Sequence, residues 1–252
     1  MGVIVTHAYF QLGKQDARRD DRNLLLASVL REQPTLPPSY DFDAAHETVP
    51  LFMFANDRYG DCVMAARAHQ TLRFEKLETG ITPMITDKQV LTEYWRETGG
   101  VGNDTGLVML DSLNEWRHKG WRLGVHTYKI MGYAEVARAD QNAVMQAIYA
   151  DVGVQCGLQL PISAQTQIDR GQPWILAIGD NAKPGSWGGH CVYIVGYTSQ
   201  GPVCVTWGRK QQMTWEFFRS YCDEAYAVFD AKDTWRKGSI DQGKVAAFLA
   251  AL

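Results

Sequence analysis

The sequence predicts an α+β fold in which helices and antiparallel strands occupy separate halves of the chain. Three observations carry that prediction. From Cys62 to Val152 the apolar residues recur mainly at helical spacing, interrupted by glycine and polar stops. After Gly153 the period changes, and Val154 to Leu160 alternates as a strand does. Two further strand-like runs, His190 to Tyr197 and Pro202 to Trp207, are joined by Thr198-Ser-Gln-Gly201, a hairpin-length link.

Taken in order, residues 1–35 read as a polar N-terminal extension, with a charged cluster at Asp16 to Arg22 and a helix over Asn23 to Arg31. Pro34 to Pro38 and Ser39 to Phe42 read as an extended entry into the core. Val49 to Ala55 is a strand-like apolar run, followed by a turn from Asn56 to Asp61. The spacing of Val63, Ala66, Leu72 and Leu77, with no internal glycine or proline, predicts a helix from Cys62 to about Glu78. Thr86 and Gln89 form a capping-box pair for a helix ended by Gly99-Gly100. Asp104 to Lys119 is a third helix stopped by Gly120, Tyr128 to Ala137 a strand, and Asp140 the cap of a helix to Val152. A polar Gly/Gln/Pro-rich segment runs from Leu160 to Pro184. Thr214 to Tyr221 reads as a short helix and Ala225 to Phe229 as a last strand.

Composition narrows the function classes. At 46% hydrophobic and 21% charged the chain can bury a core, which excludes a disordered or fibrous protein. A net charge of −3 supplies no phosphate-neutralising surface, so nucleic acid is not an expected partner. The longest apolar runs, Val192 to Val195 and Ala246 to Leu252, fall short of the ~20 residues of a membrane helix, and no membrane association is expected. With no secretory signal visible, the expected location is cytoplasmic or virion-associated. The 5 cysteines are odd in number and lack CxxC spacing, which predicts free thiols and no zinc knuckle. His7, His46, His69, His118 and His126 show no ligand spacing and read as surface or edge residues. Gly99-Gly-Val-Gly102 follows a helix and lacks the dinucleotide-binding pattern. Neither a metal nor an organic cofactor is expected, and composition leaves oligomerisation open.

One cysteine stands apart. Cys62 opens its helix directly after the Gly60-Asp61 turn, where backbone N–H groups and the helix dipole favour a thiolate. His190 follows Gly188-Gly189 and opens an apolar strand, with room beside it for a substrate backbone. A helix-start thiol and a strand-start imidazole are the components of nucleophilic catalysis.

Placed in order, these segments resemble the papain-like cysteine peptidases from about Leu36 to Gly208. Leu36-Pro-Pro-Ser-Tyr-Asp-Phe42 is similar to the entry motif of that family, and Gly60 and Cys62 fall on its Gly-x-Cys turn. Asn56 stands six residues before Cys62, where the family places the amide of its oxyanion hole. Thr105 to Leu110 resembles its Gly-Gly-x-Met helix, and Met145 to Gly157 the opening of its second lobe. His190 to Tyr197 resembles the His strand, and Thr206-Trp207-Gly208 the Asn-Ser-Trp-Gly segment.

The resemblance implies a two-lobe papain-like domain over 36–252: a helical lobe over about 50–135, a β lobe over about 136–230 and a C-terminal helix. It implies Cys62 as nucleophile, His190 as base and acid, and Asn56 as oxyanion donor. Aligned on Trp207-Gly208, the position that orients the His falls on Val205; closing the loop by one residue gives it to Thr206, the residue able to accept from an imidazole. Strand alternation places Val205 and Trp207 on one face and Thr206 on the other. Gly60, Trp187, Gly188, Gly189 and Trp207 would line the substrate cleft, and the 35 residues before the entry motif, short for a folded inhibitory pro-segment, could still lie across it. Past Gly208, the family's return strand is expected to give way to a helix around Met213 to Phe218. The implied activity is hydrolysis of a peptide or isopeptide-type amide in a peptide or protein substrate. A catalytically silent structural module and an acyltransferase using the same pair are the alternatives.

Overall fold

The computed structural model describes residues 10–31, 35–230 and 239–250. Residues 1–9 and 32–34 of the expected extension, including Pro34 at the start of the expected entry, and the last two residues of the expected C-terminal helix lie outside the described residues. Helix α1 (Leu26–Val29), strand β1 (Tyr40–Asp41) and helix α2 (Phe42–His46) lead in. Helices α3 (Cys62–Thr79), α4 (Asp87–Glu97) and α5 (Met109–His118) follow. A small hairpin, β2 (Trp121–Leu123) and β3 (His126–Tyr128), precedes β4 (Ile130–Glu135), α6 (Gln141–Tyr149), β5 (Val154–Leu160) and α7 (Ile162–Asp169). Then come β6 (Gly188–Tyr197), β7 (Pro202–Thr206), β8 (Arg209–Gln212), α8 (Trp215–Tyr221), β9 (Cys222–Asp230) and α9 (Gln242–Ala250).

The large sheet runs β4-β9-β5-β6-β7-β8, with β1 added on β6, and its pairs are antiparallel. Alternation along the strands divides the core in two. Cys191, Tyr193 and Val195 of β6 join α3, α4 and α5 in one apolar cluster. Val192 and Ile194 join α6 and α8 in the other. The sheet is thus sandwiched, and α3 lies along its helical face.

Helix α3 is buried from Cys62 to Phe74, and it carries polar side chains into that interior. Each finds a partner, because an unpaired buried charge would cost several kcal/mol. Arg73 is held bidentately by Asp43 at 2.9 and 2.8 Å. Arg67 Nη1 lies 2.8 Å from Glu97, and Gln70 accepts from Gln155 at 2.9 Å. Gly80 closes the helix at φ +73, a conformation glycine adopts without strain.

The capping box of α4 forms as the Thr86 and Gln89 pattern predicts, and Asp140 caps α6. Several expectations fail. Val49 to Ala55 is not a strand: it turns through left-handed residues Phe54 (φ 56) and Ala55 (φ 67), both buried. Its apolar character serves packing, with the Phe54 ring 4.8 Å from His69. His69 is accordingly interior, not a surface residue, and its Nε2 lies 3.0 Å from the Phe52 carbonyl. The polar run after Leu160 contains α7 and the buried Trp174, whose Nε1–H donates to the Ala164 carbonyl. The return strand after Gly208 is present as β8, paired to β7 ahead of α8. Its residues are polar and do not alternate, because ladder bonds rather than side-chain burial hold them.

Candidate active site

Cys62 is the first residue of α3, and the turn before it is fixed from outside. The Gly60 N–H donates to Asp104 Oδ1 at 2.9 Å, and the Tyr94 hydroxyl donates to the same oxygen at 2.6 Å. The Cys62 sulfur accepts the Cys191 N–H at 3.4 Å, and the Gly13 N–H faces it closely enough to lower the thiol as well. The thiol is 1% exposed, and burial pushes it up to about 11, against the lowering effect of those two donors. The sequence reading, a thiolate favoured by the helix start, therefore does not describe this state: desolvation outweighs the backbone donors.

His190, at the start of β6, is fully buried. Its Nε2 lies 2.7 Å from Thr206 Oγ1, and its ring stacks on Trp207 at 4.0 Å with an interplanar angle of 10°. Trp187 and Phe10 also pack against that indole, at 5.6 and 4.6 Å. Simple alternation set Thr206 and Trp207 on opposite faces, yet both reach His190. Trp207 has a left-handed φ of 45, which ends the strand and swings its ring back over the imidazole. Burial pushes His190 down to about 3, so the ring is neutral. Its Nδ1 has no hydrogen-bond partner, and among the described residues no hydrogen bond joins it to the Cys62 sulfur. Val205, the other residue considered as the His partner, is buried in the helical-side cluster.

The cleft between these residues is filled by the chain itself. Gln11 N–H donates to the Asn56 carbonyl at 3.0 Å. The Asn56 side-chain amide donates to the Gln11 carbonyl at 3.3 Å and to the Tyr59 carbonyl at 3.0 Å. Trp207 Nε1–H points at the same Gln11 carbonyl at 3.4 Å. Gly13 accepts from Leu107 N–H at 2.9 Å, and Gln15 N–H donates to the Leu107 carbonyl at 2.9 Å. Lys14 N–H donates to the Gly189 carbonyl at 3.1 Å. Contact is tight: a Cβ on Gly13 would stand 1.8 Å from the Gly60 carbonyl oxygen, and one on Gly189 would stand 2.2 Å from the Lys14 oxygen. Gly188 takes the Leu12 side chain, where a Cβ would meet Leu12 Cδ1 at 2.8 Å.

Cys62, Asn56, Gly60, Trp187, Gly188, Gly189, His190, Thr206 and Trp207 thus all border one place. Sequence reasoning left open that the residues before the entry motif could lie across the cleft, but it did not single out the strap from Phe10 to Gln15, or Leu107, which brackets it. It also missed Asp61, a buried carboxyl beside Cys62 that burial pushes well above the usual carboxylate range. The available signal was Gly13, the sole glycine between residues 10 and 35.

No family model matches the sequence, and no curated protein matches it. Solved structures do match in shape. Xylellain, a cysteine protease from Xylella fastidiosa, superposes with a TM-score of 0.68 at 17% identity, over 91% of this chain and 100% of that one. The Carica candamarcensis cysteine protease CMS1MS2 gives a TM-score of 0.58 at 16% identity, over 77% and 99%. Digestive procathepsin L 3 of Tenebrio molitor gives 0.59 at 14% identity, over 89% and 77%. Identities this low speak to architecture, and the architecture agrees along nearly the whole chain: this protein has the fold of the papain-like cysteine proteases.

Proposed function

We propose that the protein is a thiol-dependent hydrolase of peptide or isopeptide-type amides, with Cys62 as nucleophile and His190 as general base and acid. The observation that carries the reading is the strap. A peptide segment lies on the Cys62 sulfur, is gripped through its main chain by Gly189 and Leu107, and presents a carbonyl to the Asn56 amide. A cleft that holds its own chain this way has the groups needed to hold another.

With the strap displaced, the thiol proton passes to His190 Nδ1, the nitrogen left free by Thr206. The Cys62 sulfur attacks the carbonyl carbon, and Asn56 together with the Cys62 N–H receives the oxyanion. The C–N bond breaks, His190 returns its proton to the leaving amine, and a thioester remains. Water, deprotonated by His190, attacks the thioester and releases the acid and the thiol. Throughout, Thr206 fixes the imidazole and Trp207 shields it, as orienting partners do in other triads. In the strapped state Cys62 and His190 are both neutral, which is a closed form of such a site.

The test is hydrolysis of a fluorogenic peptide library by the full chain and by its Cys62→Ala variant. Activity that the variant loses supports the reading. The silent-module alternative is favoured by one observation, the missing bond between Cys62 and His190. It predicts that Cys62 alkylates no faster than the other cysteines even once the strap is displaced.

A further inference from the structure

Lys14 leaves the strap sideways into a pocket of the sheet. Gln155, Gly157 and Gln159 of β5 fall on the face turned toward the helices, opposite the buried Cys156 and Leu158. The Lys14 side chain runs over Gly157, where a Cβ would stand 2.1 Å from Lys14 Cε. It is 0% exposed, and its ammonium lies 2.8 Å from Asp223 Oδ2 and 3.0 Å from Glu224 Oε1, on β9. Gln159 Nε2–H donates to Asp223 Oδ2 at 2.8 Å, and the ammonium also donates to the Gln15 carbonyl at 3.0 Å. The glycine therefore makes room for a long straight side chain, and the carboxylates receive its charged end.

The pocket has more acceptor capacity than a lysine uses. Asp223 Oδ1 is buried without a hydrogen-bond partner, and Glu224 besides Lys14 meets the Tyr226 hydroxyl. The Glu224 side chain is only 5% exposed. A guanidinium, with five N–H donors in a fixed fork, matches that surplus better than an ammonium does. When the strap leaves, the buried Glu224 carboxylate and the partly exposed Asp223 carboxylate lose their cation, and another cation entering the cleft replaces it. The pocket is also in step with the candidate chemistry: the Lys14 N–H bonds the residue before His190, and the preceding Gly13 N–H faces the Cys62 sulfur.

We propose that Gly157, Gln159, Asp223 and Glu224 form a specificity pocket for an arginine or lysine side chain of the substrate, which Lys14 fills in the resting chain. This rests on the hydrolase reading for its biological sense, but the pocket can be tested without turnover. The first measurement uses the full-length Lys14→Ala chain and end-blocked Gln-Leu-Gly-Lys-Gln, with norleucine or arginine replacing lysine in parallel peptides. The readout is protection of Cys62 from iodoacetamide. The lysine and arginine peptides should protect at about 10-fold or more lower concentration than the norleucine peptide, as loss of a charge-assisted contact implies. Equal protection by norleucine overturns the proposal. Should Lys14→Ala fail to fold, the same three peptides are tested for protection of Cys62 in the Gly13→Ala chain, whose strap cannot seat against Gly60.

The second measurement compares hydrolysis of paired fluorogenic peptides that differ only by arginine or norleucine at one position. A preference for arginine that collapses toward unity in Asp223→Asn/Glu224→Gln supports the pocket. Hydrolysis with no basic preference at any position overturns it and leaves the hydrolase reading intact. Protection by the basic peptides with no hydrolysis of any peptide does the reverse: the pocket stands and the hydrolase reading falls.

Discussion

Gly13→Ala should open the site. The added Cβ would stand 1.8, 2.4 and 2.5 Å from the O, C and Cα of Gly60, and backbone cannot yield as a side-chain tip would. The strap must lift there, and with it the Gly13 N–H and the cover over Cys62. Burial holds the Cys62 thiol at about 11 against an ordinary value of 9.0. That difference of about two units means about 100-fold less thiolate at neutral pH. Restoring solvent should therefore raise the alkylation rate of Cys62 about 100-fold at pH 7.5 through ionisation alone. Rehydration of His190, held at about 3 by burial, adds to this by letting the imidazole take the thiol proton. The assay is a timed iodoacetamide reaction followed by peptide mapping of all five cysteines, with Cys156, Cys191, Cys204 and Cys222 as buried internal controls. If Cys62 in a folded Gly13→Ala chain reacts at the native rate, the strap is not what closes the site, and the reasoning fails.

Three other outcomes are expected. Thr206→Val keeps the shape but removes the oxygen 2.7 Å from His190 Nε2, and should lower turnover by about 10-fold or more with a shifted pH profile, read from kcat against pH. Asp43→Asn breaks the bidentate partner of the buried Arg73 and should cost about 3–5 kcal/mol in a denaturant titration. His69 and His190 are both pushed to about 3, below the ordinary 6.5, so the folded state prefers them neutral. Their contribution is complete above pH 6.5 and is lost as pH falls toward 3, at about 1.4 kcal/mol per pH unit for each residue. Denaturation midpoints at pH 7, 6 and 5 check this, and His69→Gln should reduce the slope.

Periodicity and punctuation were local, so the elements they govern were readable. The capping box at Thr86 and Gln89, the Asp140 cap and the alternation of Val154 to Leu160 need only neighbours within a few residues, and each forms. Where a segment's character comes from distant partners, reading it in isolation failed. Val49 to Ala55 is apolar because α3 covers it, and β8 is a strand because β7 lends it a ladder. Thr206 could be named as a possible His partner but not placed, because alternation breaks at the left-handed Trp207.

The sequence by itself determined the class of fold and the residue types gathered around Cys62 and His190, because helix starts, glycine turns and strand periods are written in short stretches. Tertiary structure alone decided the state of that site. Whether a thiol at a helix start is a thiolate depends on the competition between backbone donors and desolvation, and burial in the folded chain tips Cys62 toward the neutral thiol against the lowering effect of Cys191, Gly13 and Lys14. The same long-range closure brings Lys14 to Asp223 and Glu224 across the chain, a pairing that no local pattern encodes.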